Sequence, residues 1–180
     1  MKWASWNVGA KSETGYGQYF AWGETAEKTD YSDDAYKWGK YDRNDKTDYG
    51  MTKYNKTDGI TTLKAGDDPA TANWGSKWRS PSFDEIKELL DNCEWTWTTK
   101  NGVNGYTVTG KNGNSIFLPA AGSRHGAELW TAGEVGDYWS SSLSASISCN
   151  AYYFYFYSGE HDWDGNSRYC GQSVRAVTAK

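Results

Sequence analysis

Three tyrosines near the end of the chain alternate with two phenylalanines, in the order Tyr153, Phe154, Tyr155, Phe156, Tyr157. Successive side chains of a β-strand point to opposite faces, so a strand here would separate the tyrosines from the phenylalanines. Phenylalanine is the more apolar residue, and we expect it to face the core while the tyrosines face solvent. Exposed tyrosines supply large contact area at low entropic cost, so the pattern indicates binding.

A polar segment follows the tyrosines. Residues 162–167 read Asp-Trp-Asp-Gly-Asn-Ser, which predicts a loop around Trp163. Its small polar side chains would add adaptable hydrogen bonds to the tyrosine contacts. The alternative interpretation is a tyrosine-rich edge strand that packs under another loop.

Asp162, Asp164 and Asn166 have the spacing that opens a calcium loop. A loop of the EF-hand type needs Gly at its sixth position and Glu at its twelfth. Ser167 and Ser173 stand at those positions. The pattern therefore favours a solvated turn, and we expect no metal and no cofactor.

Groups suited to covalent catalysis are few. His125 and His161 are the two histidines of the chain, and neither stands in a recognisable nucleophile motif or in the ligand spacing of a zinc site. The cysteines number three, which argues against a disulfide framework. We therefore predict that the chain is not an enzyme.

The composition predicts a folded domain with an aromatic core. The 180 residues suit a single domain, which we place over residues 1–180, and they include 11 Trp and 14 Tyr. A net charge of −4 without a Lys/Arg cluster argues against nucleic acid, and no apolar run approaches the length of a membrane span. The residues after Met1 do not resemble a signal peptide, so we expect either an excised domain or a chain that is intracellular until it is assembled.

Local signals predict one or two helices among short strands. Asp68 and Pro69 favour a two-turn helix that ends near Asn73, and the capping box from Ser82 to Glu85 begins a second helix that ends near residue 92. Asn-Gly turns then separate runs with a period of two. Strands are predicted at residues 106–109, 116–118, 138–139, 152–157 and 173–177, and a long loop at residues 28–58. The fold class is α+β with short antiparallel strands and extensive loops.

Blocks along nearly the whole chain resemble one bacterial family. They are WASWNVGA at 3–10, YGQYFAWGE at 16–24, NWG at 73–75, WRSP at 78–81, GVNGY at 102–106, NSIFLPAAG at 114–122, YWSSS at 138–142 and GQSVRAV at 171–177. The family is the major paralogous domain found in many Bacteroidetes proteins and their phages. The resemblance implies a C-type-lectin-like fold of the formylglycine-generating-enzyme subgroup.

Many members of that family look like variable proteins of diversity-generating retroelements, in which error-prone reverse transcription changes adenines of a copied template. The resemblance implies a variable segment at about residues 144–170 and a place on a phage virion or a bacterial cell surface. The predicted ligand-binding residues are all reachable from an Asn codon through adenine changes, and they are Cys149, Asn150, Tyr153, Tyr155, Tyr157, His161, Asp162, Asp164, Gly165, Asn166, Ser167 and Cys170, with Ser144 and Ile147 as weaker candidates. Glu160 is not reachable and is assigned to the scaffold.

The predicted function is the display of a variable surface that binds a macromolecular partner, either protein or glycan. The alternative is a non-diversified surface adhesin or carbohydrate-binding module on the same fold.

An oxidase like the formylglycine-generating enzyme would need a copper-binding thiolate pair, but Cys149 and Cys170 both occupy positions predicted to vary. Arg168 and Arg175 flank the variable positions. For both, a salt bridge that holds the tail of the chain, from residue 149 onward, is favoured over direct contact with the ligand. The rings expected in the core are Trp74, Trp78, Trp95, Trp139, Phe154 and Phe156.

Overall fold

The computed structural model describes residues 1–179 and has the α+β architecture that the sequence predicts. Its helices are α1 (Pro69–Trp74) and α2 (Phe83–Asn92). Its strands are β1 (Lys2–Trp3), β2 (Glu94–Lys100), β3 (Val103–Thr109), β4 (Ser115–Pro119), β5 (Ser123–His125), β6 (Glu128–Trp130), β7 (Val135–Leu143), β8 (Asn150–Tyr157), β9 (Glu160–Ser167) and β10 (Val177–Thr178). They pair, always antiparallel, as β1–β10, β2–β3–β4, β5–β6 and β7–β8–β9. Neither helix of residues 1–179 is long and apolar enough to cross a membrane.

Both predicted helices are present and begin at the predicted caps. The Asp68 carboxylate accepts the backbone N–H groups of Ala70 and Thr71, which are two of the unpaired donors at the start of α1. The Ser82 hydroxyl accepts the N–H of Glu85, whose carboxylate accepts the N–H of Ser82, so the capping box of α2 is complete. The helix boundaries follow from local chemistry and match the prediction.

The last predicted strand is shorter than expected. In this segment the regular strand is Val177–Thr178, whereas residues 172–176 make single backbone contacts with several parts of the chain. Gln172 exchanges backbone hydrogen bonds with Phe20, and the Ser173 N–H donates to the Asp137 carbonyl oxygen. The segment joins distant elements one residue at a time, so no single neighbour gives it a continuous ladder.

The long polar excursion at residues 28–58 is confirmed as a loop, with one 3-10 turn at Asp33–Ala35. Buried tyrosines fix it to the body of the protein. The Tyr31 hydroxyl donates to the Tyr19 carbonyl oxygen and the Tyr36 hydroxyl to the Trp22 carbonyl oxygen, each at 2.6 Å. Each phenol thus buries a large ring while its hydroxyl satisfies a backbone acceptor.

Within residues 1–179, Arg168 holds the tail to this loop without a salt bridge, which corrects the ion pair expected from the sequence. Its side chain is fully buried and donates to the Tyr36 hydroxyl and to the carbonyl oxygens of Lys53, Tyr54 and Ser148, at 2.8 to 3.0 Å. The planar guanidinium offers five N–H donors and therefore suits several fixed acceptors at once. Its role is structural, and its donors point away from solvent.

Arg175 has the same role at the other end of the tail. It is fully buried and donates to Asn7 Oδ1 at 2.9 Å, to the Ala4 carbonyl oxygen at 3.2 Å and to the Phe117 carbonyl oxygen at 2.8 Å. Burial lowers its pKa to about 10, so the guanidinium remains charged at neutral pH. Neutral acceptors therefore take the place of the carboxylate expected from the sequence.

The core is aromatic, as the composition predicts. Of the six expected rings, Trp139, Phe154 and Phe156 are buried, while Trp74, Trp78 and Trp95 are half-buried and pack against the core from its margin. The two marginal tryptophans of the α1 region, Trp74 and Trp78, meet edge to face at 5.5 Å between ring centroids.

Candidate ligand-binding surface

Strand β8 lies in the middle of the β7–β8–β9 sheet and has two chemically different faces. Residues that stand opposite each other in an antiparallel pair project from the same face. In β8 and β9 the opposed pairs are Tyr153 with Asp164, Tyr155 with Asp162 and Tyr157 with Glu160. We call the surface formed by these six residues the tyrosine face. The other face carries Phe154 and Phe156 and is called the phenylalanine face.

The loop predicted at residues 162–167 is wrong, since these residues belong to β9. Each of them stands opposite a residue of β8, from Asp162 at Tyr155 to Ser167 at Asn150. Backbone pairing with the preceding strand outweighs the low strand propensity of Asp, Gly and Asn, because propensity is a weak effect beside tertiary pairing. Along an extended strand the side chains of Asp162 and Asp164 stand side by side, so they do not wrap around one ion as the calcium interpretation requires.

Exposure of the tyrosines rises toward the β8–β9 turn. Tyr153 is partly buried and meets Trp139 edge to face at 6.0 Å, Tyr155 is partly buried, and Tyr157 is 41% exposed. Burial raises the pKa of Tyr153 and of Tyr155, and nearby carboxylates raise it further, so both phenols stay protonated at neutral pH. The Tyr157 hydroxyl donates to the Glu160 carboxylate, which raises the pKa of Tyr157. The tyrosine hydroxyls of this face are therefore protonated, and that of Tyr157 is engaged by Glu160.

The carboxylates of β9 are open to solvent. Asp162 and Asp164 are exposed, and each accepts the backbone N–H of the residue that follows it, at 2.8 and 2.7 Å. Neither these two nor Glu160 forms an ion pair within residues 1–179. Glu160, assigned to the scaffold from the sequence, thus belongs to the tyrosine face by position.

The phenylalanine face packs into the protein, as predicted. Phe154 and Phe156 are fully buried, and Phe154 stacks on Tyr138 at 5.0 Å. His161, one of the predicted ligand-binding residues, is on this face and stacks on Trp95 at 4.6 Å. Its place opposite Phe156 turns the ring toward the scaffold, so His161 does not join the tyrosine face.

Trp163 stands opposite Phe154 and also projects from the phenylalanine face. It meets Phe83 of α2 edge to face at 4.6 Å, and Phe83 in turn stacks on Tyr152 at 4.0 Å. The indole remains 41% exposed because it lies on the outermost strand of the sheet. These contacts attach β9 to α2.

Two predicted ligand-binding residues, Ser144 and Cys170, are buried, with 5% and 2% of their surface exposed. Ser144 lies where β7 turns toward β8, and its backbone N–H donates to the Asn150 carbonyl oxygen at 3.0 Å. Cys170 ends the turn after β9, where its N–H donates to the Ser167 carbonyl oxygen at 3.1 Å, and it packs in the core. Burial to this extent leaves little surface of either side chain for contact with a macromolecule.

A separate cavity of about 340 Å³ lies at the open end of the β8–β9 hairpin. Four predicted positions line it, namely Ile147, Cys149, Asn150 and Ser167. Its remaining wall includes Tyr36, Tyr41 and Met51 from the long loop, which the sequence did not connect with the site. Burial raises the pKa of the Cys149 thiol, which therefore stays protonated. The cavity is within the range of small-molecule sites.

Gly165 and Asn166 lie on β9 between the cavity and the tyrosine face. A Cβ on Gly165 would meet its nearest neighbours, two atoms of Asn150 and one of Ser144, at 3.7 to 3.8 Å, which are ordinary contacts. Its φ is not in the left-handed region, so a side chain would fit there without backbone strain. Asn166 stands opposite Ala151, and its side-chain oxygen accepts the N–H of Ser167 at 2.7 Å.

The structure also joins residues that sequence reasoning kept apart. The Cys170 sulfur lies 3.6 Å from His125 Nδ1, and the other ring nitrogen lies 3.2 Å from the Ser123 hydroxyl. Burial raises the pKa of Cys170 to about 12 and lowers that of His125, so thiol and imidazole are both neutral at pH 7. A nucleophilic cysteine must be a thiolate, which this environment disfavours. The contact joins His125 of β5 to Cys170, and the two residues are 45 positions apart in the sequence. No local sequence pattern predicts this contact.

Comparison of the chain with protein-family models, with curated proteins and with solved structures finds no match.

Proposed function

We propose that this protein displays a variable surface that binds a macromolecular partner, and that the surface is diversified by a retroelement. The single observation that carries the proposal is the division of β8. Its phenylalanines fix the strand in the core while its tyrosines, with the carboxylates of β9, project from the other face. The proposed C-type-lectin-like fold and the proposed location on a phage or bacterial surface rest on the sequence blocks that resemble the major paralogous domain.

Separation of the two faces is what a diversified binder needs. Residues that vary must not support the fold, and rigid aromatic side chains give contact area with little loss of entropy on binding. The predicted positions that meet this condition are Tyr155, Tyr157, Asp162 and Asp164, with Tyr153 at the buried margin. Ser144, His161 and Cys170 do not meet it and are left out of the proposed surface.

Parallel randomisation of the two faces tests the proposal without knowledge of the ligand. One library varies Tyr155, Tyr157, Asp162 and Asp164, and a matched library varies Phe154, Phe156, Tyr138 and His161. We expect most members of the first library and few of the second to remain folded, as read by protease resistance of the displayed protein. Equal loss of folding in both libraries would contradict a display role.

Retroelement diversification has its own test in the neighbouring DNA. We expect a near-copy of the sequence that encodes residues 144–170, differing mainly at adenines, beside a gene for a reverse transcriptase. If neither is present, diversification is wrong, whereas a binding role for the surface stands.

A carbohydrate-binding module is the second candidate, and the cavity at the open end of the hairpin favours it. Its lining includes Tyr41, which is 46% exposed, and aromatic rings stack on the apolar faces of sugars. Isothermal titration calorimetry with a panel of neutral monosaccharides tests this candidate. Binding that Tyr41→Ala removes and that Tyr155→Ala leaves intact would favour the module over the display protein.

A further inference from the structure

We propose that the partner of the tyrosine face is a protein, bound through a basic patch of exposed Lys and Arg side chains. This inference rests on the proposed binding role and specifies the chemistry of the ligand. It follows from the charge of the β8–β9 hairpin, from the lack of any ion pair to its carboxylates within residues 1–179, and from the position of each carboxylate opposite a tyrosine.

The hairpin is acidic and contains no basic residue other than histidine. Residues 150–167 include Glu160, Asp162 and Asp164 but neither Lys nor Arg. Arg168 follows at once, yet it is fully buried and its donors bond to the carbonyl oxygens and the phenol that hold the tail. The negative charge of the tyrosine face is therefore not neutralised by its own strands.

Carboxylates alone would not define a binding site, and the phenol rings supply the second requirement. In a cross-strand pair the Cβ atoms are about 5 Å apart, so one cation can contact the ring of Tyr155 and the carboxylate of Asp162 together. A cation over an aromatic ring and a charge-assisted hydrogen bond to a carboxylate are both favourable and add at the same position. Tyr153 with Asp164 repeats this arrangement one step along the strands.

The spacing of successive Tyr–Asp pairs matches that of alternate side chains in an extended protein segment. Successive pairs on one face of a strand are about 7 Å apart. Side chains that alternate along an extended segment have the same spacing, so two or three Lys or Arg residues of a partner can engage successive pairs. A neutral glycan gains nothing from the uncompensated charge, and an anionic glycan or nucleic acid is repelled by it.

Charges on β9 have a second possible role, because it is the outer strand of its sheet and charged side chains there hinder edge-to-edge aggregation. The two roles differ in what neutral variants do. Asp162→Asn with Asp164→Asn weakens binding if the carboxylates contact a basic partner, and promotes aggregation without weakening binding if they protect the edge.

The experiment selects peptides from a random library on the immobilised protein. We expect the enriched peptides to carry an excess of Lys and Arg. The tightest one should bind Asp162→Asn/Asp164→Asn about tenfold more weakly than the unchanged protein, as two partly exposed ion pairs would give. Its counterpart with citrulline in place of Arg should lose affinity for the unchanged protein to a similar extent.

The matched control is Glu88→Gln/Asp91→Asn, which removes the same charge from exposed positions of α2, the helix on the other side of the sheet. It should bind the peptide as the unchanged protein does. Enrichment of neutral or acidic peptides, or equal binding by both double variants, would overturn the basic partner.

A third variant separates this inference from the proposed function. Tyr155→Ala/Tyr157→Ala should also weaken the selected peptide. If the tyrosine variant loses binding and the asparagine variant retains it, the binding surface stands and the basic partner is wrong. If no peptide is enriched, or if the tyrosine variant binds normally, both the surface and its partner are wrong. Thermal melting of each variant verifies that it is folded.

Discussion

The two faces of the β7–β8–β9 sheet carry aromatic residues in register and hold them differently. On one face, Phe154 and Phe156 are fully buried against Tyr138 and the tryptophans of β2. On the other, Tyr155 and Tyr157 lie beside carboxylates and remain partly or largely open to solvent. Neighbouring residues of one strand thus have separate tasks, since one set fixes the strand and the other is available for contact.

This difference shows how a protein can change a binding surface without losing its fold. Between Phe154 and Tyr157, the energy of burial comes mainly from the two phenylalanines, whereas Tyr155 and Tyr157 contribute little to stability. We therefore expect substitutions on the phenylalanine face to lower the free energy of unfolding, and those on the tyrosine face mainly to weaken binding.

The largest effect is expected for Phe154→Ala. The change removes a fully buried ring and leaves a cavity among closely packed rings, which costs about 4 kcal/mol of the free energy of unfolding. Urea denaturation followed by tryptophan fluorescence measures it. Tyr155→Ala, at the next position, is the control, and a loss of equal size in the two variants would remove the distinction between the faces.

A smaller loss is expected for Gly136→Ala on β7. Gly136 stands opposite Phe156, and a Cβ there would overlap the phenylalanine ring. The ring must move within a close-packed core, which costs about 2 kcal/mol. Thermal unfolding measures the change. Adding Phe156→Leu, which shortens the opposing side chain, should recover part of the loss, and failure to do so would show that the ring is not the obstacle.

Substitution of Asp137 should increase the stability of the protein, in contrast to the two changes above. It lies on β7 opposite Tyr155, is 8% exposed and forms no ion pair within residues 1–179, and burial raises its pKa above the ordinary 3.8. A carboxyl with a raised pKa in the folded state is protonated more readily there than in the unfolded chain. It therefore costs stability as the pH rises through that range, and the cost is complete above the folded-state pKa.

Asp137→Asn is accordingly expected to raise the free energy of unfolding at pH 7 by about 1 kcal/mol, because it removes a buried charge and retains a polar group of the same shape. The gain should vanish below the ordinary carboxyl pKa of 3.8, where both states are protonated. Urea denaturation over a range of pH measures it. A gain that does not change with pH would contradict the explanation by charge.

The smallest effect on stability is expected for Tyr157→Ala. Tyr157 is 41% exposed, and within residues 1–179 its hydroxyl bonds only to Glu160, so the free energy of unfolding should change by about 0.5 kcal/mol or less. The same variant should measurably weaken a peptide selected on the tyrosine face, by surface plasmon resonance. Unchanged binding together with lower stability would assign Tyr157 to the scaffold.

Several elements could be predicted because their causes are local. The capping box at Ser82 and Glu85 fixes the start of α2, and Asp68 with Pro69 fixes the start of α1. The alternation of Tyr and Phe in β8 indicates which side chains are buried, because a period of two in a strand leaves few alternatives.

The remainder of the candidate site depended on pairing between distant or weakly patterned segments. Residues 162–167 have the composition of a loop, and they form a strand because β8 offers a complete ladder of hydrogen-bonding partners. Cys170 is buried because its turn bends toward His125, which is 45 residues away in the chain. The cavity depends on Tyr36 and Tyr41 of a loop without any period.

The sequence by itself determined the aromatic core, both helix starts, and the division of β8 into tyrosines and phenylalanines, because these follow from composition and near-neighbour geometry. Only the tertiary structure decided that Asp162, Asp164 and Glu160 join the tyrosines on one face, and that His161 turns away from them. The physical reason is register. The partner of each residue across β8 and β9 is set by the turn and the hydrogen-bond ladder, and a shift by one residue would exchange the faces.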